Sequence, residues 1–265
     1  MTETIRVGDL TVLCHRPDRP TQPPVLFVHG YFADATIFDD WLAFFAARGA
    51  PAYAVNLRGR QGSRPGTNLG RASIEDFVID ASAVAKTLGK PAVVGHSMGG
   101  LIAQKLAERG DVSAAVLLTP APPRGISVLS PRVAIKQLRY LPKILTSRVV
   151  VPNREDLRFL ILNHIPPEGQ DPILDRLIPD SGRAGRDMSV TGVPVDAKQV
   201  RCPVLAITTN DDHFIPRPIV ERVARRYNAT LRILDHHGHM LLLEPGWEQI
   251  ADSVDDWIRD HTMRT

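Results

Sequence analysis

The amino-acid sequence predicts an α/β fold built on a mostly parallel β-sheet. Short apolar runs alternate along the chain with longer segments of helical periodicity, which is typical of parallel strands joined by right-handed helical crossovers. The run at 25–28 contains no polar residue, as expected for a strand that helices cover on both faces. With 265 residues, of which 43% are hydrophobic and 23% charged, the chain can bury a large core.

The first half of the chain shows this alternation clearly. Two short strands flank Gly8-Asp9 in a hairpin pattern. Ser73 and Asp76 form an acidic variant of the capping box and predict where a helix begins. The predicted strands lie at 5–7, 10–14, 25–28, 52–55, 92–94 and 114–118, and the predicted helices at 36–48, 73–88 and 98–109.

The pattern changes after about residue 120. The segment 124–198 is rich in proline, arginine and glycine, and no buried strand is recognisable in it. A long irregular insertion between two strand–helix units usually serves the function. We therefore expect a helical cap domain at 124–198 over the site, and a core formed by 1–123 and 199–265. Short helical patterns lie at 131–145, 154–163 and 172–177, and beyond the insertion come strands at 203–208 and 230–234 and helices at 218–227 and 248–261.

The segment Gly95-His96-Ser97-Met98-Gly99 joins a predicted strand to a predicted helix. A serine between two glycines on such a sharp turn is held in a strained conformation that exposes its hydroxyl. The start of the following helix offers unpaired N–H groups and a positive dipole end, which suit a developing oxyanion. Gly-x-Ser-x-Gly alone is a weak pattern in a chain of this length, but its position predicts Ser97 as a nucleophile.

Candidate partners for Ser97 follow later predicted strands. A serine hydroxyl needs a base to take its proton, and the base needs a third group to orient it. Asp211 and Asp212 follow one strand, and His239 follows the last strand. The carboxyl ends of parallel strands meet at one edge of a sheet, so we expect these side chains to converge there. The chain order Ser, Asp, His is the one that the nucleophile-elbow architecture requires.

On these residues the chain resembles the α/β-hydrolase superfamily, in particular its capped serine esterases and lipases. The resemblance covers about residues 5–260 and is specific for the superfamily but weak for the substrate. It implies a mostly parallel eight-stranded sheet flanked by helices, with a helical cap inserted after the sixth strand. The segments that carry the resemblance are His29-Gly30, Gly95-His96-Ser97-Met98-Gly99-Gly100, Asn210-Asp211-Asp212-His213-Phe214-Ile215-Pro216 and Gly238-His239-Met240.

The resemblance implies a role for each catalytic residue. Ser97 is similar to the family's nucleophile, and His239 to its general base, which later acts as the acid for the leaving group. Asp212 is similar to the orienting carboxylate, because the family usually has this residue four positions before a proline, here Pro216. Asp211 is the alternative.

An oxyanion hole and a substrate pocket are also implied. The resemblance places the oxyanion donors at the backbone N–H groups of Tyr31 and Met98. The arginines of the cap favour either an anionic substrate or a solvated surface: Arg132, Arg139, Arg148, Arg154 and Arg158. The residues expected to line the pocket are His29, Phe32, Leu138, Leu141, Ile161, Phe214 and Met240.

The reaction expected is hydrolysis of carboxylic esters through an acyl-enzyme, as in carboxylesterases and lipases. Serine at position 97 argues against dehalogenases and epoxide hydrolases, which use aspartate at this turn. Lactones, thioesters, amides, C–C bonds and cofactor-free perhydrolysis stay open as alternatives. A catalytically inactive binding protein with a hydrolase-like fold is the alternative of another class.

Composition narrows the choice of partners. The net charge of +3 is small and the arginines are scattered, so we expect no nucleic-acid partner. The resemblance and the apolar residues of the cap instead imply a small-molecule ester with an apolar acyl or alcohol group. No apolar run approaches a membrane span, and the N-terminus lacks a signal-peptide pattern, so we expect a cytoplasmic monomer or homodimer without stable membrane insertion. Cys14 and Cys202 are expected to be two buried free thiols. His236, His237 and His239 lie close together, but no acidic or cysteine cluster completes a metal site, and we expect no cofactor.

Overall fold

The computed structural model describes residues 2–63, 68–126, 136 and 138–263. Eight strands in this part of the chain form one sheet, in the order β1-β2-β4-β3-β5-β6-β9-β10. The first two strands pair antiparallel with each other, and β2 pairs antiparallel with β4; the other neighbours are parallel. These strands are β1 (Glu3–Val7), β2 (Leu10–His15), β3 (Val25–Val28), β4 (Ala52–Val55), β5 (Ala92–His96), β6 (Ala114–Leu118), β9 (Val204–Thr209) and β10 (Thr230–Leu234).

A second, two-stranded sheet lies in the insertion between β6 and β9. It consists of β7 (Val149–Val150) and β8 (Asp180–Ser181), which pair antiparallel. The helices in the described residues are α1 (Asp39–Ala47), α2 (Ile74–Thr87), α3 (Met98–Arg109), α4 (Leu141–Leu145), α5 (Arg154–Leu160), α6 (Pro167–Arg176), α7 (Gly182–Arg186), α8 (Arg217–Tyr227) and α9 (Trp247–Thr262). Short 3₁₀ turns lie at Ala35–Phe38, Leu69–Arg71 and Ala197–Gln199, and a π-turn at Asp187–Thr191.

The large sheet separates two hydrophobic cores. Alternate residues of β3 point to opposite faces, so that Phe27 belongs to one core and Leu26 to the other. Trp41 of α1 and Trp257 of α9 pack on the first face, and Phe77 of α2 packs on the second. Both faces of the central strands are therefore covered by helices, and the predicted mostly parallel eight-stranded sheet with an insertion after the sixth strand is confirmed.

The capping box predicted at α2 is present. The Ser73 hydroxyl oxygen accepts a hydrogen bond from the backbone N–H of Asp76 at 3.1 Å. In return, the Asp76 carboxylate accepts one from the backbone N–H of Ser73 at 2.9 Å. The two side chains thus satisfy two N–H groups that a helix start leaves unpaired.

The insertion differs most from the sequence-based expectation. Much of the helix expected at 131–145 lies outside the described residues, and α4 occupies the end of that range. The helix expected from Pro172 starts earlier, at Pro167, with Pro172 in its interior. The β7–β8 pair was not expected, because strands of two residues are too short to show a periodic pattern.

One edge of the large sheet gathers the predicted functional segments. The segments that contain His29, Ser97, Asp212 and His239 follow the carboxyl ends of β3, β5, β9 and β10, respectively. These four strands are parallel, so their carboxyl ends lie at the same edge. Within the described ranges, no helix combines the length and the apolar character that crossing a membrane requires.

Candidate active site

Ser97 lies on a sharp turn between β5 and α3. Its φ of 54° and ψ of −115° are unusual for a residue with a side chain, and such strain costs about 1–3 kcal/mol. The turn is held by hydrogen bonds from the Ser97 N–H to the Leu118 carbonyl oxygen at 3.0 Å and from the Ala121 N–H to the Ser97 carbonyl oxygen at 2.9 Å. The conformation is the one expected of a nucleophile elbow.

The glycines on either side of Ser97 allow the backbone to pack closely. A Cβ atom on Gly95 would collide with the carbonyl oxygen of Gly99, and one on Gly99 would collide with the carbonyl oxygen of Val28. Any larger residue at these positions would force α3 away from the sheet. Glycine at both positions therefore keeps the serine turn pressed against β3.

The side chains of His239 and Asp212 form a buried pair beside this turn. His239 Nδ1 donates a hydrogen bond to Asp212 Oδ2 at 2.8 Å, and both side chains are almost fully buried. Asp212 Oδ1 accepts two further hydrogen bonds, from the backbone N–H groups of Phe214 at 2.7 Å and Ile215 at 2.8 Å. With Nδ1 carrying the proton, the Nε2 atom of a neutral His239 is left to accept one.

Asp211 faces away from this pair. Its side chain is 45% exposed and forms an ion pair with His164 Nε2 at 3.3 Å. Of the two adjacent aspartates that the sequence offered, the structure brings Asp212 to His239.

The loop after β3 packs directly on the serine turn. A Cβ atom built on Gly30 would lie 3.3 Å from Ser97 Cβ and 3.1 Å from His96 Nδ1. Among the residues that the structure describes, neither the backbone N–H of Tyr31 nor that of Met98 donates a hydrogen bond to another protein group. Two N–H groups without a described protein partner near Ser97 are compatible with the oxyanion hole that the resemblance implies.

His96 anchors the segment that contains His239, and this contact was not predicted from the sequence. Its Nε2 atom donates a hydrogen bond to the His239 carbonyl oxygen at 3.0 Å, and Thr119 Oγ1 donates to the same oxygen at 3.2 Å. Burial lowers the pKa of His96 from 6.5 to about 3, which keeps the ring neutral. No sequence signal reveals this contact, because the two histidines are 143 residues apart.

Glu244 holds the backbone just before His239. Its Oε2 atom accepts hydrogen bonds from the Gly238 N–H at 2.8 Å and from His237 Nδ1 at 3.2 Å. The side chain is buried, and burial raises the pKa of its carboxyl to about 7. The backbone of Gly238 and His239 is therefore fixed by Glu244 on one side and by His96 on the other.

Ser97 and His239 line the same cavity. No charged side chain is among the described residues that line it. The described apolar and aromatic lining residues are Tyr140, Ile144, Val150, Leu157, Leu160, Ile161, Leu177 and Met188 from the insertion, and Tyr31, Phe32, Ala33, Ala121, Pro122, Phe214, Ile215 and Met240 from the core.

Three of the residues expected to line the pocket lie elsewhere. The side chain of His29 is fully buried beneath the loop, and burial lowers its pKa well below the ordinary value. The side chains of Leu138 and Leu141 are exposed, at 63% and 37%. The other four expected residues do line the cavity: Phe32, Ile161, Phe214 and Met240.

The cap arginines do not line the cavity where they are described. Arg139 pairs with Asp156 at 3.2 Å, and Arg154 and Arg158 both pair with Asp171. Arg148 is not a lining residue, and Arg132 lies outside the described residues. The alternative of an anionic substrate therefore has no support from the described residues that line the cavity.

Within the described ranges, no group of three or more His, Cys, Asp or Glu side chains is arranged to hold a metal ion. Cys14 and Cys202 are both free; the first is buried and the second is partly buried.

Known proteins are similar to this chain in sequence and in fold. Residues 25–252 match the model of the Alpha/beta hydrolase family. Over 259 residues, which are 92% of this chain and 91% of the relative, the chain is 27% identical to a monoacylglycerol lipase of Mycolicibacterium smegmatis.

Solved structures of similar fold extend over nearly the whole chain. A monoacylglycerol lipase of Paleococcus ferrophilus has a TM-score of 0.72 at 22% identity, with 94% of this chain and 99% of that one covered. A thermophilic esterase of Thermogutta terrifontis has a TM-score of 0.74 at 20% identity, with 99% of both chains covered. At these identities the likeness concerns the fold.

Proposed function

The chain belongs to the alpha/beta hydrolase family, and on that basis we propose that it is a serine hydrolase that cleaves carboxylic esters with an apolar acyl group. The observation that carries the proposal is the arrangement of one cavity wall. Ser97, on its strained turn, and His239, paired with the buried Asp212, line the same apolar space. The names of the relatives, which are lipases and esterases, support ester bonds as the target.

Acylation starts with the ester carbonyl beside Ser97. His239 Nε2 takes the hydroxyl proton as Ser97 Oγ bonds to the carbonyl carbon, and Asp212 stabilises the imidazolium that forms. The negative charge that develops on the carbonyl oxygen faces the N–H groups of Met98 and Tyr31, each worth about 3 kcal/mol in such sites. The tetrahedral intermediate then collapses, and His239 donates its proton to the oxygen of the leaving alkoxide. The alcohol departs, and the acyl group stays bound to Ser97 Oγ as an ester.

Deacylation repeats these steps with water. His239 removes a proton from the water while its oxygen bonds to the acyl carbon, and the same two N–H groups face the oxyanion. Collapse of the intermediate returns the proton to Ser97 Oγ and releases the carboxylic acid. One water is consumed per ester, and the catalytic residues return to their starting states.

The lining of the cavity supports an apolar acyl group in the proposed substrate. Apolar side chains surround the site, and burying an acyl chain among them gains about 0.8 kcal/mol per CH₂ group. An ester of an aliphatic acid with a small neutral alcohol, such as a monoacylglycerol, satisfies this chemistry and agrees with the names of two relatives. We also propose that 124–198 forms the cap, since this segment supplies half of the apolar residues that line the cavity in the described part of the chain.

The test compares esters of increasing acyl length on wild type and Ser97→Ala. Wild type should hydrolyse p-nitrophenyl esters and monoacylglycerols, and Ser97→Ala should lose about 10⁴-fold or more in kcat. Ser113→Ala is a matched control, because Ser113 precedes β6 at the opposite edge of the sheet, and it should keep wild-type activity. Equal rates for wild type and Ser97→Ala would contradict the proposal, as would rapid turnover of amides or diketones beside negligible esterase activity.

A further inference from the structure

The insertion holds the loop after β3 through three hydrogen bonds. The carbonyl oxygen of Phe32 accepts a hydrogen bond from the Ile178 N–H at 2.9 Å. The N–H of Phe32 donates to the carboxylate of Asp180 at 2.9 Å. The hydroxyl of Tyr31 donates to the carbonyl oxygen of Ser181 at 2.7 Å. Three residues of the insertion, Ile178, Asp180 and Ser181, thus fix Tyr31 and Phe32.

Asp180 forms the centre of these contacts. Its Oδ2 atom accepts from the Phe32 N–H and forms an ion pair with Arg60 Nη2, and its Oδ1 atom accepts from the Ser181 N–H at 2.7 Å. The side chains of Asp180 and Arg60 are both 0% exposed. A buried ion pair is weak evidence for stability, because desolvation offsets the attraction, so its presence calls for another role.

Arg60 also contacts the far end of the loop after β3. Its Nε atom donates to the carbonyl oxygen of Ala33 at 3.2 Å, while its guanidinium stacks 5.1 Å from the ring centroid of Phe77. The ion pair between Arg60 and Asp180 therefore joins the loop at 31–33 to both the core and the insertion.

Phe32 shows why the loop needs these contacts. Its φ of +65° lies in the left-handed region, which a residue with a side chain adopts at a cost of about 1–2 kcal/mol. Such a conformation persists when its surroundings impose it.

The N–H of Phe32 and the N–H of Tyr31 belong to adjacent peptide planes that share the Tyr31 Cα atom. Fixing the first plane on Asp180 therefore restricts the direction in which the Tyr31 N–H points.

We propose that Asp180 is a positioning residue for the oxyanion hole, acting through the backbone N–H of Phe32 to aim the N–H of Tyr31 at the developing charge beside Ser97. The proposal rests on the proposed function. Asp180 is not among the described residues that line the cavity, so it acts without touching the substrate. The insertion then contributes to the rate of the reaction as well as to the walls of the cavity.

The expected kinetic effect is a loss of kcat at nearly constant KM. An oxyanion donor acts on the transition state and little on the bound ester, so misdirecting it lowers kcat without weakening substrate binding. Removing one donor outright typically costs 10²–10³-fold, and we expect a misaimed donor to cost about 10- to 100-fold.

The experiment compares two double variants in which neither position 60 nor position 180 carries a charge. Arg60→Met/Asp180→Asn keeps an oxygen that can accept from the Phe32 N–H, whereas Arg60→Met/Asp180→Leu has a side chain of similar size without an acceptor. Neither leaves an unpaired buried charge, and both are assayed below their melting temperatures on a p-nitrophenyl ester. If the leucine variant does not fold, Arg60→Met/Asp180→Ala replaces it.

The asparagine variant should have a kcat at least about tenfold above that of the leucine variant, with KM values within about threefold. Affinity for a trifluoromethyl ketone, which Ser97 converts to a hemiketal oxyanion, should fall by the same factor as kcat/KM. Equal kcat values in the two variants, with Ser97-dependent activity in the wild type, would overturn the role of Asp180 alone. Equal hydrolysis by wild type and Ser97→Ala would overturn the proposed function and this inference together.

Discussion

His239 and Asp212 lie 27 residues apart in the chain, yet their side chains form a buried hydrogen bond of 2.8 Å between Nδ1 and Oδ2. The bond sets the tautomer of the imidazole, since a proton on Nδ1 leaves the lone pair on Nε2. The same carboxylate is held by two backbone N–H groups, so its own position is fixed by the turn after β9. The geometry thus suits a base whose accepting nitrogen faces the cavity.

Replacing this carboxylate is expected to damage catalysis far more than replacing its neighbour. Asp212→Asn should lower kcat by about 10³- to 10⁴-fold, because an amide can hold the wrong tautomer and cannot stabilise the imidazolium. Asp211→Asn is the matched control and should stay within about threefold of wild type, since its side chain is 45% exposed and pairs with His164. Steady-state kinetics on one ester measure both. A larger loss in Asp211→Asn would move the orienting role to Asp211.

His96 should lower the free energy of unfolding as the pH falls. Burial lowers its pKa to about 3 in the native state, whereas the ordinary value is 6.5, so below pH 6.5 the unfolded chain binds a proton that the native state does not. Stability from this group is fully present above pH 6.5 and is lost as the pH falls toward 3, at up to about 1.4 kcal/mol per pH unit.

Denaturant unfolding of wild type and His96→Gln between pH 4 and pH 8 measures this contribution. Glutamine keeps a donor for the His239 carbonyl oxygen but does not titrate, so the free energy of unfolding should fall less steeply with acid in the variant. Parallel pH profiles for the two proteins would show that His96 does not titrate in this way.

Glu244 should act in the opposite direction. Burial raises its pKa from 4.5 to about 7, so between these values the native state binds a proton that the unfolded chain has released. Stability from this group is present below pH 4.5 and is lost as the pH rises through 7. In Glu244→Gln, which keeps an acceptor for the Gly238 N–H, the free energy of unfolding relative to wild type should increase from pH 5 to pH 8. A relative stability that is constant or that falls over this range would contradict the pKa shift.

The sequence predicted best those strands, helix starts and turns that depend on residues close together in the chain. Continuous apolar runs and the Ser73–Asp76 pair mark strands and a helix start within a few residues, and the structure confirms them. The glycines around Ser97 likewise identify a strand-to-helix turn, since both the steric demand and the residues that meet it lie within one short segment.

Long-range contacts and side-chain directions could not be predicted in the same way. Leu138 and Leu141 are apolar but exposed. Hydrophobicity alone does not tell whether an apolar side chain of the insertion faces the cavity or the solvent. Arg60 and Asp180 are 120 residues apart, and charged residues are usually expected at the surface, so their buried pair leaves no mark in the sequence. The choice between Asp211 and Asp212 needed the distance to His239.

The most direct test of the proposed nucleophile is to trap the covalent intermediate. Wild type is treated with a fluorophosphonate that carries an alkyl chain, and the modified peptide is identified by mass spectrometry. One equivalent of label on Ser97, none in Ser97→Ala, and slower labelling in His239→Ala are the results expected from an activated serine. Label on another residue, or ester hydrolysis that persists after Ser97 is fully modified, would contradict the role of Ser97.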